Sequence, residues 1–381
     1  MIPTSTIGGP MKFTLRLIGI CPDSSCRLLM RVVWTTVMVV SQFLQYWYLF
    51  SHVGSDTLPD IMDSMSLCLS NSLLFLKLSL LWLNGRIFKD ILTMMSNDWH
   101  EYSTMYTMIN KAVLAHRCSK LIIGFYSTAV LLYSIASVNF GTIDNNCREL
   151  LIKMELPFEF CESPIYEVVI LVQFLRLTAV ATAMGMLNAL MVTLMLHVGG
   201  QIDLMHEKVK EICPKDSEDI EYYDLPTTVT RFLINKHNKI ITFSENIESL
   251  FTHIALMQFF SNTMIICCIG FLIVTALDTD EGIMMLVKSF SFYIAITLEA
   301  FIFCFAGEYL SNKSKTIGDA VYESAWYILK PRDCRILLFV IVRSQKRLTI
   351  TAGKFMDLSL EGFTNSLKAS ASYISVLYAM Y

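Results

Sequence analysis

The sequence has few charged residues. Asp, Glu, Lys and Arg make up 17% of its 381 residues, against about a quarter in an ordinary soluble domain. Hydrophobic residues make up 54% of the chain, and the mean hydropathy is +0.52. This composition excludes an ordinary soluble globular protein and predicts a membrane protein without a separate soluble domain.

The motifs of the common enzyme classes are also missing. The sequence contains no Gly-x-Ser-x-Gly, no P-loop, no Gly-x-Gly-x-x-Gly after a strand and no His-Glu-x-x-His. His197, Asp203 and His206 lie close together on one predicted helix, but polar residues on a solvated helix end explain them better than a metal site does. We therefore expect no enzymatic activity, no cofactor, no metal and no nucleic-acid partner.

Long apolar stretches are abundant. A helix needs about 20 residues to cross a bilayer, and seven stretches come near that length. They are residues 32–50, 61–83, 121–140, 168–196, 254–277, 282–306 and 355–381. No small-residue cleavage site follows the first stretch, so we interpret it as a membrane span rather than a signal peptide. The sequence thus predicts an all-α polytopic membrane protein with seven transmembrane helices.

Basic residues are distributed unevenly between the two sides of these spans. Of the 30 Lys and Arg residues, 24 lie in the segments on the side of the amino terminus and two lie on the other side. Cytoplasmic segments collect Lys and Arg, so we expect an inverted topology with a cytoplasmic N-terminus and an extracellular C-terminus. A G-protein-coupled receptor has the opposite orientation.

The last span carries polar and small residues at spacings of three and four, which places them on one helix face. They are Glu361, Asn365, Lys368, Ser372, Ser375 and Ala379. This polar stripe suits either tight helix packing through small residues or the wall of a pore, and spacing alone does not decide. Four further charges lie inside spans: Lys77, Arg176, Lys288 and Glu299. For these, snorkelling or an internal ion pair is favoured over ligand contact.

Aromatic and small polar residues mix with aliphatic ones in the outer halves of four spans. The candidate ligand-binding residues are Ser70, Leu74, Tyr133, Ser137, Ile170, Gln173, Leu177, Phe290 and Tyr293. Such a lining suits a small apolar ligand with one oriented polar group. Each residue taken singly is more often plain helix packing.

The outer loop 141–167 is the longest on its side, and we expect it to form a lid over the outer half of the bundle. It contains Cys147 and Cys161. Extracellular cysteines form disulfides readily, but a bonded pair and two free thiols both remain open.

Four motifs in the last third resemble those of insect odorant receptors of the divergent, odour-tuning kind. They are residues 303–308 (FCFAGE), 322–326 (YESAW), 351–355 (TAGKF) and 370–377 (SASYISVL). The resemblance implies seven helices, cytosolic anchor helices where subunits meet, and a split last helix with its inner piece at 336–350. It implies a ligand-gated, non-selective cation channel, normally a heterotetramer with a shared co-receptor subunit.

The resemblance also implies roles for individual residues. Val376 corresponds to a hydrophobic gate, Ser372, Ala379 and Met380 line the same pore, and Tyr322 and Trp326 belong to the subunit anchor. The implied regions are a cytoplasmic segment 1–31, helices 1–6 with the ligand pocket at 32–306, a cytoplasmic anchor at 307–354 and a pore-lining helix at 355–381.

The expected partners are a small volatile odorant, the co-receptor subunit and membrane lipid, in the plasma membrane of olfactory sensory neurons. The alternatives are a gustatory receptor of the same superfamily and a G-protein-coupled chemoreceptor.

Overall fold

The computed structural model describes residues 5–20, 26–140, 143–144, 147–148, 150–212, 226–277 and 283–380. Within these residues the chain is almost entirely helical. The helices are α1 (Gly9–Leu17), α2 (Arg27–His52), α3 (Leu58–Leu83), α4 (Gly85–Tyr102), α5 (Tyr106–Phe140), α6 (Ile165–Ile212), α7 (Thr227–Leu277), α8 (Ile283–Tyr322), α9 (Pro331–Gln345) and α10 (Leu360–Met380). Two short antiparallel hairpins join β1 (Ile143–Asp144) to β2 (Cys147–Arg148) and β3 (Thr351–Ala352) to β4 (Met356–Asp357).

Each of the seven predicted spans falls on a long helix. Among the described residues, six helices are long and apolar enough to cross a membrane: α2, α3, α5, α6, α7 and α8. The seventh, α10, has 21 residues, which is enough to cross a bilayer. The polar stripe that includes Glu361 and Lys368 makes α10 less apolar than the other six. The prediction of seven spanning helices agrees with this architecture.

The four middle spans continue well beyond the length a bilayer needs. Helices α5, α6, α7 and α8 have 35, 48, 51 and 40 residues, against about 20 for a simple crossing. Their extensions pack with α1, α4 and α9 at one end of the bundle. The helices of the fourth and fifth predicted spans, α6 and α7, thus continue far beyond the apolar stretches seen in the sequence.

Helices α6 and α7 form the centre of the fold. Helix α6 packs against α5 and α8, and α7 packs against α3, α8 and α10. Helix α2 lies at the periphery, where 11% of its most apolar stretch is buried by protein. Its exposed side chains include Val33, Val40, Phe43 and Trp47. An uncovered apolar helix surface of this kind is suited to contact with lipid.

The region between α8 and α10 differs from the expected boundaries. The inner piece expected at 336–350 is α9, which begins at Pro331 and ends at Gln345. Proline is favoured in a first helical turn because the N–H groups of that turn have no acceptor within the helix, so the absence of one costs nothing. The TAGKF motif does not begin the last helix. It forms β3 and a turn in which Gly353 and Lys354 have φ angles of 60° and 62°, so α10 begins at Leu360 rather than at residue 355.

Candidate functional site: an apolar cavity and an exposed terminal helix

Helices α3, α5, α6 and α8 line a partly open cavity. Its volume, counted as the space that the centre of a water molecule can occupy, is about 80 Å3. One water needs about 10–15 Å3 on the same measure, so the cavity has room for several. The lining residues are Leu67, Ser70, Asn71, Tyr126, Ala129, Val130, Tyr133, Leu177, Val180, Ala181, Met184, Ser291, Phe292, Ala295, Ile296 and Glu299. A mostly apolar wall with a few polar groups is typical of a small-molecule site.

Tyr126 holds three walls of the cavity together. Its hydroxyl donates to the carbonyl oxygen of Ala295 on α8 at 3.2 Å and accepts from Asn188 Nδ2 on α6 at 2.8 Å. Gly185 lets α6 approach this tyrosine, because a Cβ there would lie 3.2 Å from Tyr126 Cδ2. Tyr126 and Asn188 were not among the predicted site residues. The one available signal was a pair of polar residues at the centres of adjacent apolar spans.

A buried ion pair lies at one end of the cavity. Lys77 on α3 bonds to Glu299 on α8, and the two side chains are 1% and 0% exposed. Lys77 Nζ also lies 5.2 Å from the ring centre of Phe303, a cation–π contact. Gln258 Nε2 on α7 donates to the backbone carbonyl oxygen of Glu299 at 3.2 Å. The internal pairing favoured for these two charges is the arrangement found.

A second ion pair lies near the outer end of the cavity. Lys288 Nζ on α8 is 2.6 Å from Asp63 Oδ2 on α3 and 5.0 Å from the ring centre of Tyr133. Both pairs join α3 to α8. Arg176 differs, since its three guanidinium nitrogens are buried without a hydrogen-bond partner among the described residues.

The described part of the predicted lid, residues 150–164, packs onto the outer end of the bundle. Leu151, Ile152 and Met154 are buried in a cluster with Leu67 and Tyr133, which also line the cavity. Lys153 Nζ bonds to Asp60 Oδ1 at 2.6 Å, and the Glu155 amide donates to the Leu44 carbonyl oxygen at 3.2 Å. The loop thus packs behind two residues of the cavity wall, although none of its own residues lines the cavity.

Gln173 holds this loop and does not line the cavity. Its Oε1 accepts from the Ile152 amide at 3.2 Å and its Nε2 donates to the Ile152 carbonyl oxygen at 3.1 Å. Both ends of the side-chain amide are therefore used by the backbone of the lid. Ile170 lies beside the same cluster, partly buried.

Three of the candidate ligand-binding residues line the cavity: Ser70, Tyr133 and Leu177. Leu74 is fully buried in the main core. Phe290 is 55% exposed and lines a shallow groove on the outside of α5 and α8. Ser137 does not line the cavity, and its hydroxyl has no partner among the described residues.

Tyr293 lies on another side of α8. It packs on a cluster of Ile265, Ile266, Ile269 and Ile296 that Leu367 of α10 also contacts. Phe290 and Tyr293 are three residues apart, so they lie on neighbouring faces of α8. The cavity is lined instead by Phe292 and Ala295. Neither Phe290 nor Tyr293 is therefore part of the cavity wall.

Helix α10 packs on the bundle through one face only. Ser370 Oγ donates to the Thr263 carbonyl oxygen at 3.3 Å, the hydroxyls of Thr263 and Ser366 are 2.8 Å apart, and the rings of Phe301 and Phe363 meet at 5.7 Å. The polar stripe lies on the other face, where all six of its residues are exposed. Within this chain, the stripe therefore does not serve helix packing.

The predicted pore residues share this exposure. Val376 and Met380 are 56% and 81% exposed, and Ser372 and Ala379 are exposed as well. At the opposite end of the bundle, Tyr322 ends α8 and is 68% exposed, and Trp326 is 39% exposed. Exposed aromatic and apolar side chains at these two places are available for contacts between subunits.

The outer-loop cysteines and the three candidate metal ligands are placed as follows. Cys161 is disulfide-bonded, but the side chain of Cys147 lies outside the described residues, so their pairing stays a prediction. His197, Asp203 and His206 do not converge. His197 contacts Thr6 and Asp98, whereas Asp203 pairs with Lys111 and Lys313 and His206 bonds to Thr316.

Long apolar helices around a mostly apolar cavity are typical of a multi-pass membrane protein that binds a small molecule within its bundle. A family model described as 7tm Odorant receptor matches residues 57–371. The chain therefore belongs to the odorant receptor family, in agreement with the resemblance of its terminal motifs. The family assignment is to receptors and not to enzymes.

Individual relatives agree with this assignment. Odorant receptor 13a of Drosophila melanogaster is 24% identical, over 91% of this chain and 89% of its own length. Odorant receptor 82a of the same species is 26% identical, over 60% of this chain and 57% of its own length. Odorant receptor 10 of Aedes albopictus is 28% identical, over 67% of this chain and 70% of its own length.

A solved structure shares the fold. The insect olfactory receptor OR5 from Machilis hrabei, in complex with eugenol, superposes with a TM-score of 0.77 over 97% of this chain and 98% of that chain. Sequence identity to it is 14%, so the likeness concerns the fold alone. The match supports the seven-helix architecture and the place of α10 as its seventh span.

Proposed function

We propose that this chain is the odour-binding subunit of a ligand-gated, non-selective cation channel. It assembles with a shared co-receptor subunit as a heterotetramer in the plasma membrane of olfactory sensory neurons. The observation that carries the proposal is the mostly apolar cavity between α3, α5, α6 and α8. A small volatile molecule is the ligand whose size and polarity fit such a cavity, and the fold relative OR5 is a complex with eugenol.

Helix α8 links the cavity to the terminal helix. It contributes Ala295, Ile296 and Glu299 to the cavity, and Phe301 in the next turn packs on Phe363 of α10. A ligand shifts a conformational equilibrium only by its differential affinity for the two states. An odorant that fits a wider cavity better would move α8 and, through this contact, α10.

The exposed stripe of α10 supports a pore wall. Several copies of α10 around an axis would place Ser372, Val376, Ala379 and Met380 along the conduction path. A hydrophobic constriction at Val376 would block ions by staying dry until the helices separate. In this arrangement Tyr322 and Trp326 contact neighbouring subunits at the cytoplasmic end.

The proposal divides the chain into four regions. Residues 1–31 and 307–354 lie on the cytoplasmic side, 32–306 hold the ligand cavity, and 355–381 contain the pore helix. The distribution of the 30 Lys and Arg residues supports this orientation, because 24 of them fall on the proposed cytoplasmic side.

Filling the cavity tests the ligand site. Ala181 is 8% exposed and lines the cavity, so Ala181→Phe would occupy the space the odorant needs. We expect the half-maximal odorant concentration to rise about tenfold or more, because the added ring and the odorant cannot occupy the same space. Odorant-evoked current in cells that also express the co-receptor gives the measurement.

The matched control for Ala181→Phe is Val172→Phe on the same helix. Val172 is 58% exposed and does not line the cavity, so the added ring points away from the ligand. Both variants are compared at equal surface expression. An unchanged dose–response curve for Ala181→Phe would place the odorant elsewhere.

A further inference from the structure

The buried ion pair gives the cavity one chemically distinct end. Glu299 is 0% exposed and lines the cavity, and its partner Lys77 is 1% exposed. A charge buried at this depth is costly and is rarely kept without a partner or a function. The remaining wall is predominantly aliphatic and aromatic, so this carboxylate is the strongest hydrogen-bond acceptor among the side chains of the wall.

One of the two carboxylate oxygens is not used by the protein. Glu299 Oε1 is the oxygen bonded to Lys77. Glu299 Oε2 is buried and receives no hydrogen bond within the described residues. An ionised carboxylate has room for several donors, because each oxygen carries two lone pairs. Oε2 is thus an acceptor that lacks a donor.

The other polar groups of the wall discriminate less. The hydroxyl of Tyr126 is bonded to Asn188 and Ala295. Asn71 Nδ2 donates to Gln45 Oε1 at 3.1 Å. Ser70 and Tyr133 retain hydroxyls, but a hydroxyl both donates and accepts. A carboxylate only accepts and carries a full charge, so Glu299 distinguishes a ligand that donates a hydrogen bond from one that does not more strongly than these neutral groups do.

We propose that this cavity selects small, mainly apolar molecules that carry one O–H or N–H donor, such as alcohols and phenols, and that the donor bonds to Glu299 Oε2. The inference rests on the proposed function and specifies the ligand class of that site. A ligand without a donor leaves this buried charged acceptor unpaired, which lowers its affinity relative to a ligand that supplies the bond. Aldehydes, ketones, ethers and esters are therefore the weaker ligands.

Alcohols and their aldehydes test this selection, because each pair has almost the same size and shape. The probes are 1-hexanol with hexanal, benzyl alcohol with benzaldehyde, and 2-phenylethanol with phenylacetaldehyde. Currents are recorded from cells that express the full chain and the co-receptor. We expect the active alcohols to need concentrations about tenfold or more below those of their aldehydes, since the bond is made to a charged group.

The double variant Lys77→Gln/Glu299→Gln removes the carboxylate without leaving a lone buried lysine. We expect the alcohol preference to fall to within about twofold of equality, because a neutral amide oxygen accepts more weakly than a carboxylate. The matched control is Asp63→Asn/Lys288→Gln. It removes the other ion pair between α3 and α8, whose side chains do not line the cavity, and the preference should persist.

The outcomes separate the inference from the proposed function. Equal potency of alcohols and aldehydes on the wild-type receptor overturns the inference while the odorant-gated channel stands, and it needs no variant to fold. Preference retained in the Lys77→Gln/Glu299→Gln receptor also overturns it. If none of the six probes, and no compound of a wider odorant panel, evokes current from surface-expressed receptor, the proposed function itself fails.

Discussion

At the scale of single residues, one tyrosine connects three helices of the cavity wall. The Tyr126 hydroxyl bonds to Asn188 on α6 and to the Ala295 carbonyl oxygen on α8. Asn188 is fully buried, and its Oδ1 already has no partner among the described residues. The Tyr126 hydroxyl is therefore the acceptor that the buried Asn188 Nδ2 group depends on.

Tyr126→Phe removes this hydroxyl without changing the ring. We expect the free energy of unfolding to fall by about 1–3 kcal/mol, because the buried Asn188 amide loses its acceptor and the Ala295 carbonyl oxygen loses its bond from the tyrosine. The measurement is the midpoint of thermal unfolding of the purified chain in detergent. Tyr106→Phe is the control, since Tyr106 is 78% exposed at the start of α5. Equal midpoints for both variants would contradict the proposed role of the hydroxyl.

Polar residues inside apolar spans could be recognised from the sequence, but their roles could not. Gln173 and Glu299 both stand out in their spans. The structure places Gln173 on the backbone of the lid and Glu299 in the cavity wall. The difference depends on which chain segment lies opposite each residue, and helical periodicity gives only the direction of a side chain relative to its own helix.

At the scale of elements, α8 and the segment before α10 are in unusually close contact at Gly307. A Cβ at this position would lie 2.6 Å from the Cβ of Leu358 and closer still to the Leu358 carbonyl oxygen. Backbone atoms cannot move aside as a flexible side chain can. Only glycine therefore permits α8 and the segment before α10 to approach this closely.

Gly307→Ala should separate these two elements. We expect a loss of about 1–3 kcal/mol of stability, the usual cost of overpacking, seen as reduced surface expression. The control is Gly124→Ala, because a Cβ at Gly124 meets no atom within 4 Å and alanine stabilises a helix interior by up to about 1 kcal/mol relative to glycine. Normal expression of Gly307→Ala would mean that the segment relaxes freely.

The exposed face of α10 leads to a separate expectation. Val376→Thr preserves the shape of the side chain but adds a hydroxyl, so a constriction at this residue would become easier to wet. We expect larger current without odorant, or altered ion permeability, at unchanged surface expression. Val39→Thr on α2 is the control, since Val39 is 50% exposed on a helix that faces lipid. Identical currents from both variants would remove Val376 from the conduction path.

The sequence predicted the position of each span better than the ends of its helix. Hydropathy placed the fifth span at 254–277, but α7 begins at Thr227, because the lipid-covered part of a helix is apolar all round and its extension is not. The turn at Gly353 and Lys354, in the TAGKF motif just before the last predicted span, was not predicted. Left-handed backbone at a lysine has no reliable sequence signal.

At the scale of the whole molecule, α8 contacts both the cavity and the terminal helix, and its Ile296 lines the cavity and belongs to the cluster that Leu367 of α10 contacts. Packing inside a protein has few discrete arrangements rather than a continuous range, so occupation of the cavity can be transmitted through Phe301 and Phe363. The exposed stripe of α10 is incomplete as a pore wall within one chain. A pore lined by α10 therefore requires several chains around an axis, and the odorant would act at a distance from that axis.

The most direct test of this account is whole-cell current from cells that express the chain with and without the co-receptor, during a broad odorant panel and with G-protein signalling blocked. The account predicts rapid cation current that needs both subunits and survives the block. Responses that disappear when G-protein signalling is blocked, or an absence of current despite surface expression of both subunits, would contradict it.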